Sequence, residues 1–267
     1  MRIDIHHQTT YHYEHPVRFS AQYLRLTPLV NPSQRVFTWS IDAEGRLSAW
    51  TDGYGNPCHT LVCDDVLERI HITARGTVDT NDTSGVLIDR GTLPTNVFLR
   101  QTSLTVPDLG IVDFAETFRG QVEEDKLSGM HALADALSDR IEYQEGETHV
   151  HSTAAEVLRD GTGVCQDMAH LFISCARYLG VPTRYVSGYL YTGEDSATHV
   201  ASHAWAAAWI DHLGWVSFDI ANRTCGTERH VGLAVGLDYA ASAPIRGVRH
   251  GGSEQELMEV QVRVTQS

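Results

Sequence analysis

The chain has 267 residues, 20 of them basic and 34 acidic, and the resulting formal charge of −14 repels nucleic acid phosphates and anionic lipid surfaces, with no basic patch to offset it. That length suits one large domain or two ordinary ones, each able to bury a core. The start, MRIDIHHQTTYHYEHP, carries charges where a signal peptide needs an apolar stretch, and no later window is long and apolar enough to span a membrane, so a cytoplasmic protein with no nucleic acid or membrane partner is expected.

In chain order, the first third reads as β structure. Ile3 and Ile5 alternate with Arg2, Asp4 and His6, the period of a strand with one wet face. The runs VFTWSIDA and ERIHITARGTV continue the pattern, and DGYGNP between them has the composition of a tight turn. These features predict a β-sandwich-like domain over residues 1–110, closed by a proline-containing segment of mixed patterning. From about Asp113 the period becomes helical: Met130, Leu133, Ala134, Leu137 and Ile141 fall on one stripe. STAAEVLRD then begins with Ser152 or Thr153 as N-cap and Glu156 placed for a capping box. After GTG, the residues Cys165, Met168, Ala169, Phe172, Ala176 and Leu179 make a second stripe that ends at Gly180 and Pro182. TRYVSGYLY, HAWAAAWI and GWVSFDI follow as β-rich runs, and LMEVQVRV alternates near the C-terminus. The fold class expected is α+β: a β domain over 1–110, then helices packed on an antiparallel sheet over 111–267, with the C-terminal strand assigned to this second domain.

The five cysteines, Cys58, Cys63, Cys165, Cys175 and Cys225, are odd in number and contain no CxxC pair, so neither a disulfide framework nor a zinc ribbon is indicated. His199 with His203, and His149 with His151, invite a metal, but HVASHAWAAAWI reads as a loop entering a strand rather than a helix stacking two imidazoles. No metal and no cofactor is expected. Cys165 is placed differently from the other thiols. It lies where a glycine-bearing turn enters a helix, and free amides with the positive end of the helix dipole favour an anion there; the thiolate is the nucleophilic form of cysteine. On its strand His203 shares a face with Trp205 and Ala207, and a hairpin through DHLG brings Asp219 back alongside. A carboxylate holding one imidazole nitrogen presents the other, in a fixed tautomer, to a thiol opposite.

The stretch GTGVCQDMAHLFISCARYLGVPTRYVSGYL, followed 38 positions after its cysteine by HAW and 16 further on by Asp219 in GWVSFD, resembles the core of the transglutaminase-like superfamily of papain-type cysteine enzymes. YHYEHPVRFSAQYLRLTPLVNPSQ and DGYGN resemble the β-rich N-terminal domain of its bacterial members. The resemblance implies a Cys-His-Asp triad of Cys165 as nucleophile, His203 as general acid and base and Asp219 as orienter. It further implies acyl transfer on a peptide, protein or amide substrate. Hydrolysis by a peptidase or amidase is the leading expectation; a protein-crosslinking transglutaminase and a catalytically silent binding module of the same fold are the alternatives. Two positions depart from the family pattern. Ala207 stands where His-Ala-Trp-x-Glu has glutamate, and Ile220 with Ala221 stand where Pro-Thr usually follows the aspartate.

Overall fold

The computed structural model describes residues 1–87, 91, 93–144, 151–193, 202–252 and 256–267. In chain order its elements are β1 (Arg2–Leu24), β2 (Gln34–Ala43), β3 (Arg46–Thr51), β4 (Pro57–Cys63), β5 (Leu67–Thr80) and β6 (Val86–Leu87), then helices α1 (Leu109–Glu116), α2 (Arg119–Glu124) and α3 (Lys126–Arg140). They are followed by β7 (Glu142–Tyr143), α4 (Ala154–Asp160), β8 (Thr162–Gly163), α5 (Cys165–Tyr178), β9 (Thr183–Leu190), β10 (Ser202–Ile210), β11 (Gly214–Phe218), β12 (His230–Gly236), α6 (Tyr239–Ser242), β13 (Ile245–Gly251) and β14 (Glu256–Gln266).

The first domain is organised around β1, a strand of 23 residues whose odd positions from Ile3 to Tyr13 are all buried. The strand is long enough to serve four partners. Its first half pairs with β5 and β14, its second half with β4 and β13, and with β2 and β3 outside them the result is a barrel-like seven-stranded sheet. The C-terminal strand therefore does not stay with the second domain. Both β13 and β14 return to the first, where Val262 and Val264 of β14 bury their side chains beside Ile3 and Ile5. In the other direction β6, from residues assigned to the first domain, joins the core sheet beside β11.

The core sheet has the order β12-β9-β10-β11-β6. Its Ala204, Ala206, Ala208 and Ile210 face α5, and these small residues let the helix approach closely enough to seal Phe172, Ile173 and Ala176 from water. Helices α1, α3 and α4 begin where the sequence supplies a side-chain acceptor for orphan amides. Asp108 caps α1, Asp125 caps α3, and Thr153 with Glu156 forms the reciprocal capping box of α4. At the far end of α5 the buried Arg177 guanidinium donates to the carbonyls of Thr183, Arg100 and Leu237, which fixes the helix against the sheet.

Two side-chain amides fasten the domains together. Gln34 donates to the Gly232 carbonyl and accepts from the Gly232 amide, both at 2.8 Å. Asn56, with no exposed surface, does the same with Val235, again at 2.8 Å for both bonds. Each amide side chain mimics a neighbouring strand, so the outer edge of β12 is satisfied by the first domain rather than by water.

Candidate active site

Cys165 is the first residue of α5, and its own amide precedes the intrahelical ladder and has no acceptor within the helix. The turn before it is built for that entry. Gly161 ends α4 in the left-handed conformation at φ 73°, and at Gly163 a Cβ would lie 2.9 Å from the Asp167 Cβ. Asp167, buried, accepts from the Val164 amide at 2.9 Å, so it is the first-turn acid that shapes the helix start. Gln166 lines the cleft. Tyr143 pairs with Gly163, and the Gln144 amide donates to the Gly163 carbonyl at 3.2 Å, which brings that segment to the mouth of the helix.

His203 enters β10 opposite Gly188 and stacks on Trp205 with centroids 6.0 Å apart. Its Nε2 donates to Asp219 Oδ2 at 2.7 Å, and Cys165 stands with the same ring on the wall of one cleft. Because Nε2 is taken by the carboxylate, Nδ1 is the nitrogen left for sulfur. Burial works against a charge on His203, yet the hydrogen bonds and attractions of Asp219 and Cys165 outweigh it and raise its pKa to about 10. Asp219 follows β11, where its backbone bridges to Thr224 to close a tight turn. Its carboxylate has no exposed side-chain surface. Burial would push that carboxyl up, but the two histidines bonded to it, His203 and His230, hold it well below the usual carboxylate range.

The structure thus brings Cys165, His203 and Asp219 together, and adds two residues the sequence did not single out. Asn222, in the loop where the family's Pro-Thr is absent, donates from its side chain to Asp219 Oδ2 at 2.8 Å and from its backbone to Oδ1 at 3.2 Å. His230, heading β12, meets Asp219 Oδ2 at 3.0 Å. No local pattern announces either contact, since a histidine at the head of a buried strand reads as core. The approach depends on Gly188, whose neighbours on both sides are His203 and Gly232; a Cβ there would lie 2.7 Å from the Trp205 ring.

Among the described residues, His203, Asp219 and His230 are the one group of three side chains with ligand atoms close enough to share a metal ion. The hydrogen bonds argue against that use. The Thr227 backbone amide donates to His230 Nδ1 at 3.1 Å, so this nitrogen carries the lone pair and Nε2 carries the proton. A metal at Nε2 would need the opposite tautomer. His149 and His199 lie outside the described residues, and with them one member of each imagined histidine pair.

The cleft at Cys165 encloses about 280 Å3 and is walled by both domains. Thr9 and Tyr11 of β1, Ile245 of β13, and Met258 and Val260 of β14 face the core residues Gln166 and His203. Tyr189 does not reach it: buried completely, its hydroxyl pairs with His7 Nδ1 at 2.8 Å. Cys175 is sealed inside α5, where burial pushes its thiol up to about 12. Trp215 and Trp205 are core residues, and Trp205 with His230 lines a larger cavity of about 660 Å3 between the domains.

Comparisons with known proteins agree with this architecture. The family model of the transglutaminase-like superfamily matches residues 113–220, and that of the bacterial transglutaminase-like N-terminal region matches residues 3–79. An uncharacterized protein of Mycobacterium leprae is 29% identical, covering 99% of this chain and 98% of its own. Another uncharacterized protein, of Mycobacterium tuberculosis, is 30% identical over 98% of this chain and 92% of its own. A solved structure described as a candidate cysteine protease of Cytophaga hutchinsonii superposes with a TM-score of 0.72 at 19% identity, covering 99% of this chain and 98% of its own, which speaks to the fold.

Proposed function

The chain belongs to the transglutaminase-like superfamily, and from that premise we propose that it is a cysteine amidase or peptidase acting through Cys165, His203 and Asp219. The observation that carries the reading is the imidazole bonded to a buried carboxylate and sharing one cleft with a thiol at a helix start. In the reaction the Cys165 thiolate attacks the carbonyl carbon of an amide, and the Cys165 backbone amide donates to the oxyanion that forms. His203 passes its proton to the departing amine as the C–N bond breaks. Water then adds to the thioester while His203 takes up a proton from it, and the C–S bond breaks to release the acid and restore the thiolate beside the protonated ring. Asp219 holds the imidazolium in line throughout.

The lining of the cleft supports an uncharged acyl group as substrate. Among the described residues that wall it no Asp, Glu, Lys or Arg occurs, and the nearby His7 is kept neutral by burial, which lowers its pKa to about 4. A cationic side chain entering this space would lose hydration with no partner in return.

The test is a set of neutral peptide and amide donors incubated with and without a primary amine. Acid accumulating in both conditions supports hydrolysis; a new amide dominating when amine is present would make the protein an acyltransferase instead. Cys165→Ala should abolish turnover without altering the melting curve, and retained turnover would reject the mechanism. A silent binding module of the same fold would be indicated if iodoacetamide modified Cys165 no faster than Cys175 near neutral pH.

A further inference from the structure

The geometry points to His230 as a positioning residue for the proposed triad: a second donor that holds the Asp219 carboxylate in line with His203. The inference rests on the Cys165 reading above, and extends it by a fourth side chain. Asp219 Oδ2 receives His203 Nε2 at 2.7 Å, His230 Nε2 at 3.0 Å and the Asn222 amide at 2.8 Å. Three donors on one oxygen leave the carboxylate a single orientation.

Two features make His230 more than a second counter-charge. Its Nδ1 accepts from the Thr227 backbone amide at 3.1 Å, and a backbone N–H can only donate. The lone pair of His230 is thereby placed on Nδ1 and its proton on Nε2, the atom that faces Asp219, with the His203 ring centroid 6.1 Å away. The ring is also clamped. Trp205 packs against it edge to face at 5.2 Å, and Trp205 in turn stacks on His203.

The titratable groups facing this cluster are few. His203 from β10 and His230 from β12 are the groups that bond Asp219, and Asp219 with Cys165 from α5 are those that act on His203. Removing the His230 donor leaves the carboxylate less stabilised as an anion, so it takes up a proton at higher pH. His203 then loses its partner, and the acid edge of Cys165 reactivity moves toward neutrality.

The experiment is the pH dependence of Cys165 alkylation by iodoacetamide, which needs no substrate, in the full chain and in His230→Ala and His230→Gln, alongside turnover of a neutral amide. In His230→Ala the acid edge should rise by about one pH unit and kcat fall about tenfold with KM held. His230→Gln, which keeps a neutral donor, should return both to within about threefold of the parent. An unshifted edge in His230→Ala, or a His230→Gln no better than alanine, would overturn the inference. If His230→Ala does not fold, nitrogen-15 NMR of the unsubstituted protein decides. A His230 ring with the proton on Nε2 and the lone pair on Nδ1 sustains the assignment, and an Nδ1–H tautomer ends it. Retained turnover in Cys165→Ala would instead strike the underlying mechanism, so the two failures are distinguishable.

Discussion

Replacing Asp219 with asparagine changes one acceptor oxygen into a donor while keeping shape. In the native site the carboxylate receives His203, His230 and both Asn222 donors. In Asp219→Asn, if the amide nitrogen takes the Oδ2 position it faces three donors; if the oxygen takes it, the nitrogen faces the Asn222 backbone amide. In the first case His203 must offer a lone pair from Nε2, which moves its proton to Nδ1 and points it at sulfur, so the ring can no longer act as base toward Cys165. In either case the imidazolium loses its anionic partner. His203 is raised from 6.5 to about 10 against burial, which amounts to about 5 kcal/mol of net preference for the protonated ring, shared between Asp219 and Cys165. With the His203 side chain only 9% exposed, solvent screens little of this. Assigning about 3 kcal/mol to the carboxylate gives roughly a hundredfold loss, and the wrong tautomer carries the expected fall in kcat toward ~10,000-fold. The assay is turnover together with iodoacetamide alkylation of Cys165 at pH 6, where the variant should react at least tenfold more slowly. Alkylation at the parental rate would refute the claim that Asp219 acts through His203 on the thiol.

The remaining predictions concern the support of the site. Asn56→Ala strands the Val235 amide and carbonyl in the interior, so urea denaturation should report a loss of about 2–4 kcal/mol; a midpoint within error of the parent would mean the clasp contributes nothing. Gly163→Ala forces a methyl to within 2.9 Å of Asp167 Cβ and 3.3 Å of Val157, so the α5 entry must shift, and kcat should drop at least tenfold with the melting temperature little changed. Met258→Glu puts a carboxylate into the cleft wall and should raise KM for neutral donors while improving basic ones, measured as kcat/KM ratios over a donor series; an unchanged ratio would separate the cleft from substrate choice. For pH linkage, His203 sits above its unfolded value of 6.5, so its contribution to stability is full below about pH 6.5 and is lost as pH rises toward 10. Asp219 sits below its unfolded value of 3.8, so its contribution is present above that value and lost as pH falls. Urea midpoints should therefore plateau between roughly pH 4 and 6.5 and decline on both sides, a decline that Asp219→Asn should flatten on the alkaline side.

What the sequence made readable was local. The α5 stripe, the Thr153 and Glu156 capping box, and the hairpin that returns Asp219 beside His203 are written within windows of a few to about twenty residues, where periodicity and turn chemistry act directly. What it left hidden depends on contacts across the chain. Val260, Val262 and Val264 alternate plainly as a strand, but alternation names no partner, and it is the 23-residue length of β1 that draws β14 back across the molecule. His230 is hidden for the same reason. Its reach to Asp219 is set by the loop from Asp219 to His230 and by the missing side chain at Gly188, neither of which makes a periodic signal.

In the proposed mechanism the two domains act as one unit, and the clearest reason is the strand that carries His230. One edge of β12 is paired with β9; the other is held by Gln34 and Asn56 from the first domain. Those amides therefore sit two and five residues along from a histidine that touches the proposed orienting carboxylate, in a strand with every residue buried. The opposite wall of the cleft comes from β1, β13 and β14 of the same first domain, so the surface that meets the acyl group and the scaffold that aligns the imidazole share one support. A displacement of the first domain by an ångström would act at both places at once, through the wall directly and through β12, His230 and Asp219 in series. Tight packing makes such a displacement costly, which is how a β domain with no proposed nucleophile, acid or base of its own becomes part of the chemistry.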